Sequence, residues 1–329
     1  MKRGDPTVLV TGGAGFIGSH LVDRLIADGF FVVAIDDLST GSMGNLKDAM
    51  ETGRLRLVES KVSEDEGLSD RVQDADFVFH LAAAVGVELV VQKPAHTIRT
   101  NLMETDAILE AAGATSTPLI LASTSEVYGK SARERFSESD DLLIGRPDRI
   151  RWGYACSKLM DEFMAMAVAM EGGLPVTIAR LFNTVGPRQT GQYGMVLPRF
   201  IESALAGVPL KVYGDGQQTR TFCFVDDTVE GLLRLMRCPS SRGEVVNIGG
   251  ADEISIEALA QRVIQILDST STIERLAYDQ VFSEGFEDMR RRRPDVDKLH
   301  RLTGFRPETP VDEMIRRTAL SMRVDRGGD

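Results

Sequence analysis

The sequence predicts an α/β protein: a doubly wound parallel sheet followed by a smaller α/β region toward the C-terminus. Three observations carry this expectation. Short apolar, β-branched runs alternate with helical patterns through roughly the first 185 positions, as a parallel sheet requires. Thr11-Gly12-Gly13-Ala14-Gly15-Phe16-Ile17-Gly18 lies between one such run and an amphipathic helix. Tyr154-Ala155-Cys156-Ser157-Lys158 opens a later helix, on which residues four apart share a face.

In chain order, Thr7-Val8-Leu9-Val10 is a buried strand, and the helix after the glycine turn runs to about Asp28. The next strand, Phe31 to Ile35, ends at Asp36. Strand, glycine turn, helix, strand and terminal acid make a dinucleotide-binding (Rossmann) unit. Gly12, Gly15 and Gly18 permit the tight turn, the close approach of a pyrophosphate and close helix packing. The pyrophosphate then sits on the helix N-terminus, at Phe16 and Ile17. Asp36 accepts hydrogen bonds from the adenosine ribose and repels a 2′-phosphate, which favours NAD over NADP. Asp37, Ser39, Thr40 and Gly41 follow as candidate adenosine contacts.

Leu55 to Val58 reads as the third strand and Phe77 to Ala84 as the fourth, with Leu81, Ala82 and Ala83 small or apolar enough to lie against a cofactor. A helix over about 95–113 carries Asn101, a further cofactor candidate. The fifth strand, Leu119 to Ala122, runs into Ser123-Thr124-Ser125-Glu126-Val127-Tyr128-Gly129, a polar cluster at a strand's carboxyl end, where sites in such sheets lie. Lys130 to Arg151 reads as a surface loop. The helix opened by Tyr154 continues to about Met170, stopped by Gly172-Gly173. A phenol has an ordinary pKa of about 10, and an ammonium within about 4–6 Å lowers it by roughly 1–3 units. Tyr154 and Lys158 are thus expected to form a base suited to an alcohol proton.

Composition narrows the classes. The 329-residue chain has a net charge of −11, against a nucleic-acid or anionic-membrane binder. Cys156, Cys223 and Cys238 show neither metal nor disulfide spacing and fit a reducing cytoplasm. No signal-peptide core follows Met1, and no apolar run reaches about 18 residues.

Taken together, Thr-Gly-Gly-Ala-Gly-Phe-Ile-Gly, Ser-Thr-Ser-Glu-Val-Tyr-Gly and the Tyr154/Lys158 pair resemble the extended short-chain dehydrogenase/reductases, in their branch of nucleotide-sugar 4-epimerases and decarboxylases. The likeness continues through Arg180-Leu181-Phe182-Asn183-Thr184-Val185-Gly186-Pro187, Lys211-Val212-Tyr213-Gly214-Asp215-Gly216 and Val246-Asn247-Ile248-Gly249. It implies an NAD-binding domain over 1–185, with segments near 221–249 returning to it, and a substrate-binding domain over 186–329. It implies Thr124 on the sugar 4-oxygen, Tyr154 as base and Lys158 also on the nicotinamide ribose, with Ser125 and Glu126 beside them. Asn183 falls near the substrate diphosphate. Val196, Leu197 and Phe200 wall a uracil pocket, with the backbone at Val212 and Tyr213 reading the base. Arg220 and Arg292 bind the diphosphate, and Asp295 a ribose. Two departures stand out: Ser60-Lys61-Val62 replaces the usual Gly-Asp-Val, and Glu104 stands where glycine is common.

The implied chemistry is transient oxidation of a UDP-sugar at C4. Ser125-Glu126 and Arg292-Arg293-Pro294-Asp295 look like UDP-glucuronate decarboxylases, which give UDP-xylose. The stretch from Gln189 to Phe200 looks like 4-epimerases and lacks the decarboxylases' Asp-Gly-Arg-Val. On that balance the resemblance favours epimerisation of UDP-glucuronate to UDP-galacturonate, ahead of decarboxylation, with a UDP-glucose/UDP-galactose 4-epimerase third. A non-catalytic NAD-binding regulator could dispense with Thr124, Tyr154 and Lys158, all of which are present. The resemblance also implies a homodimer, paired through helices near 101–113 and 154–170.

Overall fold

A computed structural model describes residues 4–85, 92–189, 195–277 and 289–327. Its centre is a seven-stranded sheet: β1 (Thr7–Thr11), β2 (Phe31–Asp36), β3 (Leu55–Glu59), β4 (Phe77–His80), β5 (Leu119–Thr124), β6 (Val176–Leu181) and β7 (Val245–Ile248). The strands lie in the order β7-β6-β5-β4-β1-β2-β3, all parallel. The order reverses direction between β1 and β4. A crevice therefore opens beyond their carboxyl ends, where ligands bind in such sheets.

Side-chain alternation along β1 explains the two covered faces. Val8 and Val10 join Leu21 and Leu25 of helix α1 (Phe16–Ala27) in one cluster, fully buried. Leu9 points the other way, into a cluster with Ile108 and Leu109 of α2 (Pro94–Thr115) and Ala165 of α3 (Arg151–Gly172). Each of these valines, leucines and isoleucines contributes about 1.5–3 kcal/mol when fully buried. The α3 helix ends where Gly173 takes a left-handed φ of +72°, a conformation that favours glycine.

The C-terminal half adds α4 (Val196–Ala206), α5 (Val225–Met236) and α6 (Ile256–Leu267) with short two-stranded ladders. The chain returns to the sheet at β7, which pairs with β6, while Val229, Leu232 and Leu233 of α5 enter the cluster containing Val8 and Val10. Among the described residues, no helix is long and apolar enough to cross a membrane.

Two expectations change. The fourth strand stops at His80, not Ala84. Beyond it the backbone leaves the ladder: Ala82 N–H donates to Thr11 Oγ1 at 3.2 Å, and Ala84 N–H to Asn101 Oδ1 at 2.8 Å. Residues 130–151 are not a plain surface loop. Phe136 is fully buried and stacks on Tyr128 at 4.9 Å, its N–H donates to the Arg293 carbonyl, and its own carbonyl accepts from Asp295 N–H. One aromatic ring inserted into a cluster anchors an otherwise polar stretch.

Candidate active site

The cofactor end of the crevice is made largely of backbone. Gly12 has φ +69°, and a Cβ there would come 2.8 Å from Ala82 N. At Gly18 a Cβ would lie 2.0 Å from the Gly12 carbonyl oxygen, so the turn closes only with glycine at that position. Gly15 precedes α1 without a side-chain cap, and no acid occupies the first turn. The N–H groups at Phe16 and Ile17 thus leave a partial positive charge for an anion. Asp36, at the end of β2, accepts from Ala14 N–H and Leu38 N–H, both at 2.9 Å. Burial pushes its carboxyl up, and those N–H groups oppose the rise. Gly41 lets the following loop cross Asp36, since a Cβ would lie 2.8 Å from Asp36 Oδ1. Asp37, Ser39 and Thr40 lie exposed on this loop, with Asp37 accepting from Ser39. An uncapped helix start, a glycine cradle and a carboxylate at the strand end fit a dinucleotide with a free adenosine ribose.

Leu81 and Ala82 line the opposite side of the glycine turn, with Leu81 N–H held by the Thr11 carbonyl, and Ala83 follows them in the chain. Asn101, almost fully buried, receives Ala84 N–H and donates to Ser157 Oγ at 3.1 Å, tying this segment to α3 one turn from Tyr154.

The chemical end is built from charge. Thr124 ends β5 and caps the short 3-10 turn Ser125–Tyr128 by accepting from Glu126 N–H. Its hydroxyl is hydrogen-bonded with the Tyr154 phenol. Glu126 lies between two guanidinium groups: Arg151 Nη2 donates to both its oxygens at 3.1–3.2 Å, and Arg292 Nη1 to Oε1 at 2.8 Å. Arg292 Nη1 also reaches Ser125 Oγ at 3.2 Å. Burial alone would raise the Glu126 carboxyl, but Arg151, Arg292 and Arg220 overcome it and hold it at about 2. Glu126 is therefore an anion at neutral pH.

The base pair differs from expectation. Lys158 and Tyr154 share a helix face, yet Lys158 Nζ pairs with Asp161 Oδ2 at 2.8 Å. The Tyr154 phenol is pushed up, not down, by burial first and then by the charges of Glu126 and Asp161; its bond with Thr124 and the charge of Arg292 oppose this. A neighbouring carboxylate offsets the ammonium, which the i, i+4 spacing could not reveal.

The remaining residues separate. Asn183 Nδ2 donates to the Thr221 carbonyl, and buried Arg220 sits on the strand Thr219–Thr221, its Nη1 on the Thr219 carbonyl. Of the base-pocket set, Leu197, Phe200 and Val212 are core residues, whereas Val196 and Tyr213 keep partial exposure, and Arg199 lies over the Tyr213 ring at 4.7 Å. Asp295 accepts from Asp297 N–H at the start of a short helix. Residues 190–194 of the Gln189–Phe200 stretch lie outside the described residues.

Several residues beneath the site were not singled out from sequence. Glu162 accepts Arg180 through both oxygens, at 2.9 and 2.7 Å, and Ser123 Oγ at 2.5 Å, fixing α3 to the ends of β5 and β6. Arg151 holds Glu126 from the first turn of α3. His80 bridges Thr11 and Thr105, and burial first, then Lys158, lowers its pKa to about 3. The four-residue offsets Lys158/Glu162 and Tyr154/Lys158 share one face, a signal that could have drawn attention to Glu162.

A switch-point crevice with a nucleotide cradle at one end and a phenol, a hydroxyl and a clamped carboxylate at the other defines a cofactor-dependent enzyme of the doubly wound class. Residues 8–249 match the NAD dependent epimerase/dehydratase family, and the chain belongs to it, among the extended short-chain dehydrogenase/reductases. Its family works on nucleotide sugars with NAD. It is 41% identical over 311 residues to a UDP-N-acetyl-alpha-D-glucosaminuronate decarboxylase of Bacillus cytotoxicus, covering 94% of this chain and 95% of that protein. It is 36% identical to UDP-glucuronic acid decarboxylase 1 of Xenopus tropicalis, over 97% of this chain and 72% of the other. The crystal structure of UDP-glucuronic acid 4-epimerase from Bacillus cereus, in complex with UDP-glucuronic acid and NAD, superposes with a TM-score of 0.87 at 28% identity, covering 97% and 99% of the two chains.

Proposed function

We propose that this protein is an NAD-dependent decarboxylase of a UDP-linked hexuronate. The observation that carries the reading is Glu126, an anion clamped by Arg151 and Arg292 beside Ser125, Thr124 and Tyr154. The two decarboxylase relatives, at 41% and 36% identity, weigh in the same direction. They move the balance from the 4-epimerase favoured by sequence to the decarboxylase ranked second.

NAD⁺ held at the glycine turn would supply a hydride acceptor for oxidation at sugar C4 and a hydride donor for the later reduction. Gly12, Gly15, Gly18, Phe16 and Ile17 would hold its pyrophosphate, Asp36 its adenosine ribose, and Lys158 its nicotinamide ribose. Thr124 orients the sugar 4-oxygen, and the ionised form of Tyr154, which Thr124 and Arg292 favour against the burial that pushes the phenol up, takes the hydroxyl proton. The 4-keto uronate is a β-keto acid: its C5–carboxylate bond breaks as CO₂ leaves, the electron pair moves to the 4-oxygen, and a solvent proton completes C5. Tyr154, now protonated, donates to that oxygen. Arg292, on Ser125 and Glu126, belongs at the sugar end of the cleft, while buried Arg220 suits the diphosphate, whose oxygens match its planar donors. Glu126 keeps a fixed negative charge near the departing carboxylate.

Epimerisation shares the oxidation step, and the Bacillus cereus 4-epimerase fold favours it as the second reading. The test is incubation with NAD⁺ and either UDP-glucuronate or UDP-N-acetylglucosaminuronate, products being separated by chromatography and read by NMR. A UDP-pentose or its N-acetylamino analogue, released with CO₂, is expected; UDP-galacturonate as main product overturns the choice. Met103 on α2 and Met160, Phe163 and Met170 on α3 are exposed and would be covered in the homodimer that the family resemblance implies. A monomer in sedimentation analysis would sink that part.

A further inference from the structure

Two acids next to each other on α3 have very different surroundings. Glu162 has both oxygens taken by Arg180 and is also bonded by Ser123. Asp161, with none of its surface exposed, has Lys158 as its ion-pair partner at 2.8 Å, with the Thr105 hydroxyl of α2 near it. Lys158 is itself 3% exposed, so the pair is screened by little water and each charge strongly affects the other. We propose that Asp161 is a positioning residue: by holding and neutralising Lys158, it sets the pH at which the Tyr154 phenol gives up its proton.

The inference rests on the reading of Tyr154 and Lys158 as the acid–base pair, and deepens it. The groups around them act in stated directions. On α3, Glu162 adds a negative charge beside Asp161. From α2, Thr105 lies near Asp161 with its hydroxyl on His80 Nε2 at 3.3 Å, and from β4 His80 is neutral near pH 7, so neither adds charge. From the end of β5, Thr124 bonds the phenol, and Glu126 of the following turn opposes its ionisation. Arg292 favours ionisation from the C-terminal segment. Arg151, three residues before the phenol on α3, is taken up by Glu126, whereas Lys158, four residues after it, has Asp161 as its paired acid. Removing the acid's charge leaves the ammonium unopposed and stabilises the phenolate. With the acid in place the phenol keeps its proton to higher pH, which suits a group that must also return a proton to the 4-oxygen.

The experiment titrates the NAD⁺-loaded protein carrying tyrosines labelled with ¹³C at Cζ, with Tyr154→Phe identifying the resonance. In Asp161→Asn the Tyr154 midpoint is expected to fall by about one pH unit or more. Asp161→Glu, which restores the charge, is expected to return it toward the wild-type position. Should Asp161→Asn not fold, Asp161→Ser is titrated in its place, with room for a water beside Lys158. An unchanged or higher midpoint in a folded neutral variant overturns the proposal, as does a fall of equal size in Asp161→Glu. No turnover enters this titration, so its outcome is separate from whether a UDP-hexuronate is the substrate. Where turnover is measured, the acid limb of kcat moves down in pH by the same amount.

Discussion

At the adenosine end of the crevice, binding groups come from consecutive backbone: a glycine turn, an open helix start and one carboxylate whose oxygens already receive two N–H groups. At the sugar end the working groups are side chains brought together from afar, Glu126 meeting Arg292 across 166 positions. The first end depends on what cannot be added, because a methyl group would fill the space that phosphate and backbone share. The second depends on what cannot be removed, because each buried charge is held by its neighbours. Substitutions should therefore act differently at the two ends: by volume and cofactor affinity at one, by charge and turnover at the other.

The largest effect is expected at the sugar end. Tyr154→Phe removes the hydroxyl and little volume, and turnover should fall at least about 10²-fold, the usual scale for a positioned acid–base group. NAD⁺ affinity, read by calorimetry, should stay within a few-fold. A comparable loss of affinity would mean that the two ends are not separable.

Acid should find the same end next. The Glu126 carboxyl is held at about 2 against an ordinary 4.5, so its folded pKa is depressed. Stability from this group is complete above about pH 4.5 and is lost as pH falls toward 2, by roughly two orders of magnitude in the folding constant. Glu126→Gln should flatten the urea midpoint over that window. An identical slope in the variant would assign the acid sensitivity elsewhere.

The contrast also explains what could be read from sequence. Gly12, Gly15, Gly18 and Asp36 form one local unit whose spacing has a mechanical meaning, and the structure brings them together beside the switch point. Tyr154 and Lys158 were legible as a shared helix face. What the face could not show was Asp161, three residues beyond Lys158 and turned onto it, or the burial that raises the phenol. Arg151 read as the end of a loop because its role depends on Glu126, which reaches it only after the sheet has formed. Phe136 was hidden in a polar stretch for the same reason: its partners Tyr128, Arg293 and Asp295 are fixed by tertiary structure. Local backbone needs announce themselves through glycine, whereas charge partners across the sheet leave no spacing to find.

The smallest of these effects gives the sharpest comparison, because it lies within one turn. Gly18 belongs to α1, where alanine would ordinarily improve an exposed helix by about 1 kcal/mol. Here its Cβ would sit 2.0 Å from the Gly12 oxygen and 2.9 Å from Gly13 Cα, both backbone atoms that cannot rotate away. Gly18→Ala should therefore displace the turn and weaken NAD⁺ binding by about tenfold or more, since a shift of about 1.4 kcal/mol already suffices. At Gly15 the added Cβ would lie 3.2 Å from the Gly12 oxygen, with no other close contact, so Gly15→Ala should cost less affinity. Calorimetric titration of the two variants, with thermal unfolding to show that each is folded, decides the matter. Equal losses would mean that phosphate approach, not packing of the helix onto the turn, makes glycine necessary at both positions.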